Sequence, residues 1–513
     1  MRAHGPGAER RPQQVSAATE PDWLWVADQA QPLSDVVDVP QVLRAYRTTH
    51  GLTQAELAVL LGCDQSYVSR IERARRPVRD VEMLKRIAQR LSIPPRELGL
   101  MEAMIDPRRS AGSVGRHSVA DDDDGAEGER RVHESQRQWR LVRQSLNRRR
   151  SDLTEATAGL YPGAHRVGAS RLVTCAAWLP PTPVDLAGVD VRWADVREPF
   201  AVTGTEEESA PMRPLTSSGR RYERYSRVIR DIDRPTLFEN RIGFRLLDLS
   251  WRSAGGEMLF NSTTYFEMVD VCEAVAHELA SVCALGTCDE DVFARLPFRQ
   301  RVGDPFDLWR RPVMPSIDTL TIRRSGGGAS FILHYRDPAQ VAVAGGMYHV
   351  MPAGMFQPAT LAPEAQVFDF DLWRNIMREF SEEFLGNAEH DGGCGSPIEY
   401  RECEPFRSMN LARDSGRLKV FCLGVGLDPL TLAGEILTVA VIDDDVFDEL
   451  FGGLVSGNAE GTVVSAGRTR RPAEGIPFTA DAVGRLVERE PIAPAAAACL
   501  ELAWTHRDVL LAV

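Results

Sequence analysis

Lysine is almost missing from this chain: of 60 Lys and Arg residues, only Lys85 and Lys419 are lysine. A GC-rich coding sequence would by itself produce that bias, so the arginine count alone is no argument for nucleic acid. Long apolar runs are missing too. No window approaches the ~18 uninterrupted apolar residues of a membrane-spanning helix. The longest late run, 493–500, is about half that length and contains Pro494. The first residues never reach an apolar signal core, so the chain is expected to stay in the cytoplasm with no membrane partner. The nine cysteines are odd in number and none form a Cys-x-x-Cys pair, which leaves neither a zinc site nor a disulfide framework to expect. They read as reduced, mostly buried thiols.

What is present fits a globular protein. The 513 residues are 43% hydrophobic and 26% charged, which excludes collagen and a wholly disordered chain. At roughly 100–200 residues per domain, about three domains are expected. The net charge of −13 hides a split: residues 40–100 hold eleven Lys/Arg and six Asp/Glu, a surplus of five basic charges, which leaves −18 on the rest. A basic module on an acidic body is the pattern that needs explaining.

Composition divides the chain further. Residues 1–38 read as a mostly disordered tail, although Trp23, Leu24 and Trp25 suggest that part of it packs. Residues 39–101 show dense helical periodicity, and 102–131 lose nearly all large apolar side chains and read as a flexible linker. Residues 132–160 read as one long basic helix with a stripe of Trp139, Leu141, Val142, Leu146 and Leu153. Its cluster Arg148, Arg149 and Arg150 is read as a solvated face, with DNA contact as the alternative. Strands are expected at 171–178, 189–193, 243–251 and 257–260 and a helix at 266–284, an α+β lobe over 161–300 without an assignable role. A second α/β lobe with a C-terminal extension is expected over 301–513.

The basic module is the most informative stretch. Thr53 and Glu56 have the spacing of a capping box, and Leu52 with Leu57 that of a hydrophobic staple. Gly62 suits a left-handed C-terminus, and Asp64 is placed to cap a second helix. Two short helices around a tight glycine turn make a helix-turn-helix. Leu57, Ala58, Leu61, Val68 and Ile71 would form its core, with Leu43 before and Leu84, Ile87, Leu91 and Leu98 after them, in five helices. On the outer face, Gln65, Ser66, Ser69 and Arg70 have the chemistry to read base edges, glutamine on adenine and arginine on guanine. Arg44, Arg73, Arg75 and Arg76 are placed to neutralise phosphates, and Gln54 opens a helix whose free N–H groups suit one.

The motifs Thr53-Gln54-Ala55-Glu56-Leu57-Ala58, Gly62, Gln65-Ser66, Val68-Ser69-Arg70-Ile71-Glu72 and Arg75-Arg76-Pro77 resemble the phage-repressor Cro/cI-type (XRE) helix-turn-helix family. Ala74 stands where that family often has glycine. The resemblance implies a lambda-repressor-like fold, a phosphate contact by Gln54, and base contacts by Gln65, Ser66 and Arg70. A helical bundle used for protein contacts is the other reading of the same pattern.

In the acidic part, residues 371–386 read as one helix with Leu372, Ile376, Phe380 and Phe384 inward. Glu379, Glu382 and Glu383 then share one face, which invites a hard divalent cation such as magnesium or is simply a solvated acidic face. Arg378-Glu379-Phe380-Ser381-Glu382-Glu383 resembles the core of a Nudix box, with 349–354 like the strand and turn that open it and further strands at 319–323, 330–335, 341–344, 418–424 and 435–441. The resemblance implies an α/β/α sandwich and a magnesium site on the three glutamates, with Arg378 orienting a carboxylate. The sequence departs from the family at Ala353, at Phe370, at Gly386 and in the distance from Gly354 to Arg378. His277-Glu278 lacks a second histidine, since Ser281 stands there, and builds no zinc site. The glycines 326–328 read as a hairpin turn, and His390, Asp391 and Cys394 as a mobile rim or a minor metal site.

The expectation is therefore multidomain: an all-α DNA-binding domain, a linker, and a large α/β (α+β) body that includes a Nudix-like sandwich. The functional expectation is a sequence-specific transcriptional regulator, a homodimer on double-stranded DNA, whose body senses a nucleotide-like small molecule without requiring a cofactor. A magnesium-dependent hydrolase of nucleoside diphosphate derivatives and a protein-interaction scaffold are the alternatives.

Overall fold

A computed structural model of the chain describes residues 39–73, 78–93, 95–98, 100, 122–157, 159–195, 199–235, 238–252, 255–284, 292–336, 346–360, 363–390, 397–452, 454, 461–464 and 475–512. They divide into two compact units, one of Met1–Val78 and Met83–Glu102, the other of Arg79–Glu82 and Ala103–Val513. The expected N-terminal tail, and the linker over 101–121, lie outside the described residues.

The small unit contains α1 (Val39–Thr49), α2 (Gln54–Leu61), α3 (Gln65–Glu72), α4 (Val81–Leu91) from Met83 onward, and a 3-10 turn at Pro95–Leu98. That turn stands where a fifth helix was expected; consecutive prolines at 94 and 95 remove the donors that an α-helix needs. The capping box forms as the sequence suggests. Thr53 Oγ1 accepts from the Glu56 amide at 3.2 Å, and Glu56 Oε2 accepts from the Thr53 amide at 2.7 Å. Gly62 ends α2 at φ 63°, a conformation that costs other residues roughly 1–2 kcal/mol. Arg86 reaches back to the Leu61 and Gly62 carbonyls at 3.2 and 3.1 Å, answering acceptors left open at the helix end. Asp64 occupies the cap position of α3 in extended conformation, but its side chain makes no capping bond. All ten residues assigned to the core, from Leu43 to Leu98, are buried.

The large unit opens with α5 (Asp122–Arg148) and α6 (Arg150–Thr157), so helix starts ten residues before the expected point. A solvent-exposed first stretch such as 127–131 needs no apolar stripe, only good helix formers, which is why the loss of large apolar residues there did not mean loss of helix. Trp139, Val142, Leu146 and Leu153 are buried, whereas Leu141 is 49% exposed. The break at Arg149 turns Arg150 inward, leaving Arg148 and Arg149 on the surface.

The strands that follow are β1 (Val184–Asp185), β2 (Val189–Trp193), β3 (Ile242–Arg252) and β4 (Gly255–Thr264), with α7 (Tyr225–Ile232) between β2 and β3. The strand expected at 171–178 is absent: only isolated bridges at Val173 and Thr174 precede a 3-10 turn at Ala176–Trp178. β2, β4 and β3 form a three-stranded sheet, and α8 (Tyr265–Ala284) packs against it, followed by α9 (Pro297–Val302). Next come β5 (Ser316–Ser325), β6 (Gly328–Phe331), β7 (Leu333–Arg336), β8 (Tyr348–Val350), β9 (Ala353–Met355), α10 (Pro363–Phe368) and α11 (Leu372–Glu379), which runs into a π-helical turn at Phe380–Phe384. The C-terminal elements are α12 (Phe406–Asp414), β10 (Leu418–Leu427), β11 (Gly434–Asp443), α13 (Asp444–Phe451), β12 (Gly461–Val464), β13 (Ile476–Pro477), α14 (Ala480–Arg489), α15 (Pro494–Thr505) and α16 (Arg507–Leu511). The strand expected at 341–344 lies outside the described residues.

The main sheet runs β1-β10-β11-β5-β6-β13, with β9 also on β5; β11 and β5 are parallel and the other pairs antiparallel. Helices cover both faces. Ile317, Ile436, Ala440 and Ile442 meet Ile376, Phe380, Phe384 and Phe447 on one side. On the other, Leu320, Ile322, Leu437 and Val439 meet Ala495, Ala496, Cys499 and Ala503 of α15, whose alanines let helix and sheet approach closely. The boundary expected near 300 crosses continuous structure, because β1 joins β10 and one core contains both Phe244 and Ile436. One expectation about thiols is overturned. Cys283, at the end of α8, is disulfide-bonded, while Cys63, Cys175, Cys272, Cys403, Cys422 and Cys499 are free. A single pair needs only two thiols brought together by the fold, and linear spacing does not reveal it.

Candidate nucleic-acid interface

Glu72, the last residue of α3, organises the small unit's polar edge. It is only 4% exposed, yet its carboxylate accepts from Arg47 Nε at 2.7 Å and from Gln54 Nε2 at 2.7 Å. Arg44 donates to its carbonyl oxygen. One buried carboxylate thus ties α1 and the first turn of α2 to the end of α3, and a carboxylate with this many donors is strongly held. Neither Glu72 nor Arg47 stood out among the sequence candidates. The visible signal was the pairing of Arg44 and Arg47 three apart on α1, opposite a glutamate next to the buried Ile71.

The expected base readers lie apart from that anchor. Gln65, Ser66 and Arg70 are exposed and Ser69 is half-buried. Positions i, i+1, i+4 and i+5 share one helical face, so the four are brought together on the outside of α3. Arg73 and Arg44 are exposed as well. Gln54 is half-buried with its amide nitrogen committed to Glu72, so its place at the start of α2 is fixed. Arg75 and Arg76 lie outside the described residues.

The acidic helix differs from expectation. Leu372, Ile376, Phe380 and Phe384 are buried as read, but the helix widens to i→i+5 bonding from Phe380. The wider turn rotates Glu382 and Glu383 about the axis relative to Glu379. Glu383 is buried, and Glu382 turns to a site shared with Glu389. Burial, with the charge of Glu389 beside it, pushes Glu382 up to about 7. Arg378 is buried and committed to Tyr400 Oη at 2.6 Å, Asn375 Oδ1 at 2.9 Å and the Gln357 carbonyl. Among the described residues no three His, Cys, Asp or Glu side chains are grouped to hold a metal, and the expected set of Glu379, Glu382 and Glu383 is therefore not gathered. Gly354 does lie directly against Glu379: a Cβ there would come within 2.1 Å of the carboxyl group.

His277 and Glu278 have structural partners. His277 Nδ1 lies 2.9 Å from the Tyr225 hydroxyl, and Glu278 accepts from the Phe298 and Arg299 amides at 2.7 and 2.9 Å, capping α9. His390 Nε2 is 2.8 Å from Ser381 Oγ, and Asp391 and Cys394 lie outside the described residues. Among the described residues no helix is long and apolar enough to cross a membrane.

No curated protein matches the chain in sequence. Residues 41–100 match the family described as a helix-turn-helix domain. The small unit is accordingly a helix-turn-helix DNA-binding domain, joined in one chain to a larger α/β body with mixed sheets.

Proposed function

We propose that the protein is a sequence-specific transcriptional regulator of the Cro/cI (XRE) type whose α/β body senses a small molecule. The observation that carries this reading is the outward face of α3, where Gln65, Ser66, Ser69 and Arg70 stand together while Glu72 holds Arg47 and Gln54 behind them. In this reading Gln65, Ser66 and Arg70 enter a major groove, with Ser69 beside them. The α2 N-terminus at Gln54 and the cations Arg44, Arg73, Arg75 and Arg76 meet phosphates. One short recognition helix reads few base pairs, so two copies on a palindromic site are expected. A gel shift against genomic fragments tests the assignment. Gln65→Ala and Arg70→Ala should each weaken specific binding about 5- to 150-fold, the worth of a lost bidentate base contact. Full binding by both variants overturns it.

A second reading keeps the Nudix-like domain and is favoured only by Gly354 lying against Glu379. It predicts magnesium-dependent turnover of nucleotide-sugars or dinucleotides by the full chain; a panel without turnover removes it.

A further inference from the structure

Most buried arginines of the large unit are tied to backbone carbonyls. Arg213 donates to the carbonyls of Thr205, Glu206, Tyr222 and Glu223, and Arg299 to the Tyr161 hydroxyl and the carbonyls of Pro429 and Leu430. Arg311 differs. It is fully buried and donates once, to the Leu432 carbonyl at 3.0 Å, while its Nε and Nη1 meet no protein acceptor. Arg245 on β3 is 3% exposed. Its Nη2 donates to the carbonyls of Leu308 and Trp309 at 3.2 and 2.8 Å, its Nε meets no acceptor, and its guanidinium sits 4.4 Å from the centre of the Phe200 ring.

The backbone holds these two cations in one neighbourhood. The Leu246 amide donates to the Val313 carbonyl and the Val202 amide to the Arg310 carbonyl, both at 2.9 Å, which joins β3, the segment before β5 and the loop after Phe200. Burial, with the charge of Arg311 adding to it, brings Arg245 down to about 10 despite Glu267, and burial lowers Arg311 as well. The carboxylates in range are occupied elsewhere. Glu267 accepts from Thr263 Oγ1 and the Thr264 amide at 3.0 Å each. Asp304 and Asp307 accept from the Phe306 and Trp309 amides in exposed turns. The Cys272 thiol beside Arg311, pushed up to about 12 by burial, carries no charge. A buried cation with unspent donors and no ion pair is strongly disfavoured unless an anion compensates it.

We propose that Arg245 and Arg311 form the seat of an oxyanion, the phosphate or carboxylate group of a small-molecule ligand, on the side of the body marked by Phe200 and Trp309. Guanidinium groups with free N–H donors bind such oxygens through charge-assisted hydrogen bonds. That this ligand is the one sensed rests on the regulator reading; the seat itself does not.

Thermal melting of the full chain at matched ionic strength, in phosphate, pyrophosphate, succinate or chloride, tests the site and separates phosphate from carboxylate. At least one oxyanion should raise Tm by about 2–4 °C over chloride. In Arg311→Met that rise should shrink to the stabilisation that an excluded anion gives without a site, and Tm in chloride should equal or exceed the wild type's, because an apolar side chain replaces an uncompensated charge. A wild type indifferent to every probe, or a rise undiminished in Arg311→Met, overturns the proposal. If that variant fails to fold, calorimetry with Arg245→Gln decides: the effective probe should bind at least tenfold more weakly, and unchanged affinity overturns the site. Operator binding keeps the two readings apart. An oxyanion that binds without changing operator affinity removes the sensing role and leaves the seat. Operator binding by a chain that takes no oxyanion removes the seat and leaves the regulator.

Discussion

Arg213 spans four carbonyls on two loops, and Arg224 joins the Thr203 carbonyl to Asp270. Only a planar group with five fixed donors can do this; lysine presents three donors on a point charge. Arg213→Lys is therefore expected to cost about 2–3 kcal/mol, read as a lower denaturation midpoint. A second residue-scale expectation concerns His277, which stacks on Trp139 with ring centroids 5.5 Å apart. Burial, helped by Arg143, pushes it down to about 3. A base whose folded value lies below its unfolded one contributes stability that is complete above the unfolded value, near 6.5, and lost as pH falls through the window below it. Compared with His277→Gln, which cannot titrate, the wild type should lose roughly 1.4 kcal/mol per pH unit below 6.5. Unfolding curves of both proteins at pH 7, 6 and 5 check the slope, and the comparison cancels the groups that titrate alike in both. Glu72→Gln should loosen Arg47 and Gln54 together and weaken DNA binding with helix content retained, measurable by gel shift alongside circular dichroism.

At the scale of elements, α2 depends on its two ends. Thr53→Ala should cost about 1 kcal/mol, and Gly62→Ala a comparable amount for its positive φ; additive losses in the double variant would show that the ends act independently. These same signals made the domain readable from sequence, because caps, a glycine turn and a 3.6-residue period need no information from distant residues. The outward face of α3 was readable for that reason too. Glu72 was visible only as part of a motif, since its role depends on Arg47 and Gln54 folding over it. α8 shows where such reading stops. It is apolar around most of its surface, yet Asp270, Glu273, His277 and Glu278 run along it buried. Asp270 accepts from the Ser226 amide, Glu273 pairs with Arg143 and Arg150, and His277 meets Tyr225. Burial alone would raise Glu273, but Arg150 and Arg143 hold it down to about 2. These partners lie 44 to 130 positions away in the chain, so neither period nor spacing announces them. The geometry around the acidic glutamates was not legible for a local reason: their spacing suits an α-turn, and the chain makes a π-turn at Phe380–Phe384.

At the scale of the molecule, a basic domain shares a chain with a body that carries the opposite charge. In the regulator reading, operator affinity should fall steeply with salt as phosphate neutralisation releases counterions. Arg73→Ala should flatten the plot of log affinity against log salt by about one unit, because one phosphate contact disappears. Footprinting should show two protected half-sites about 34–36 Å apart, the spacing of a symmetric pair of recognition helices on one face of the duplex; a single short footprint would speak for a monomer.

The scarcity of lysine has a practical consequence. Lys85 lies on α4 in the small unit and Lys419 on β10 in the large one, both half-buried. Amine-directed reagents thus find one side chain in each unit, apart from any free α-amine, so a change in the labelling rate of either lysine reports on its own unit without an engineered label site.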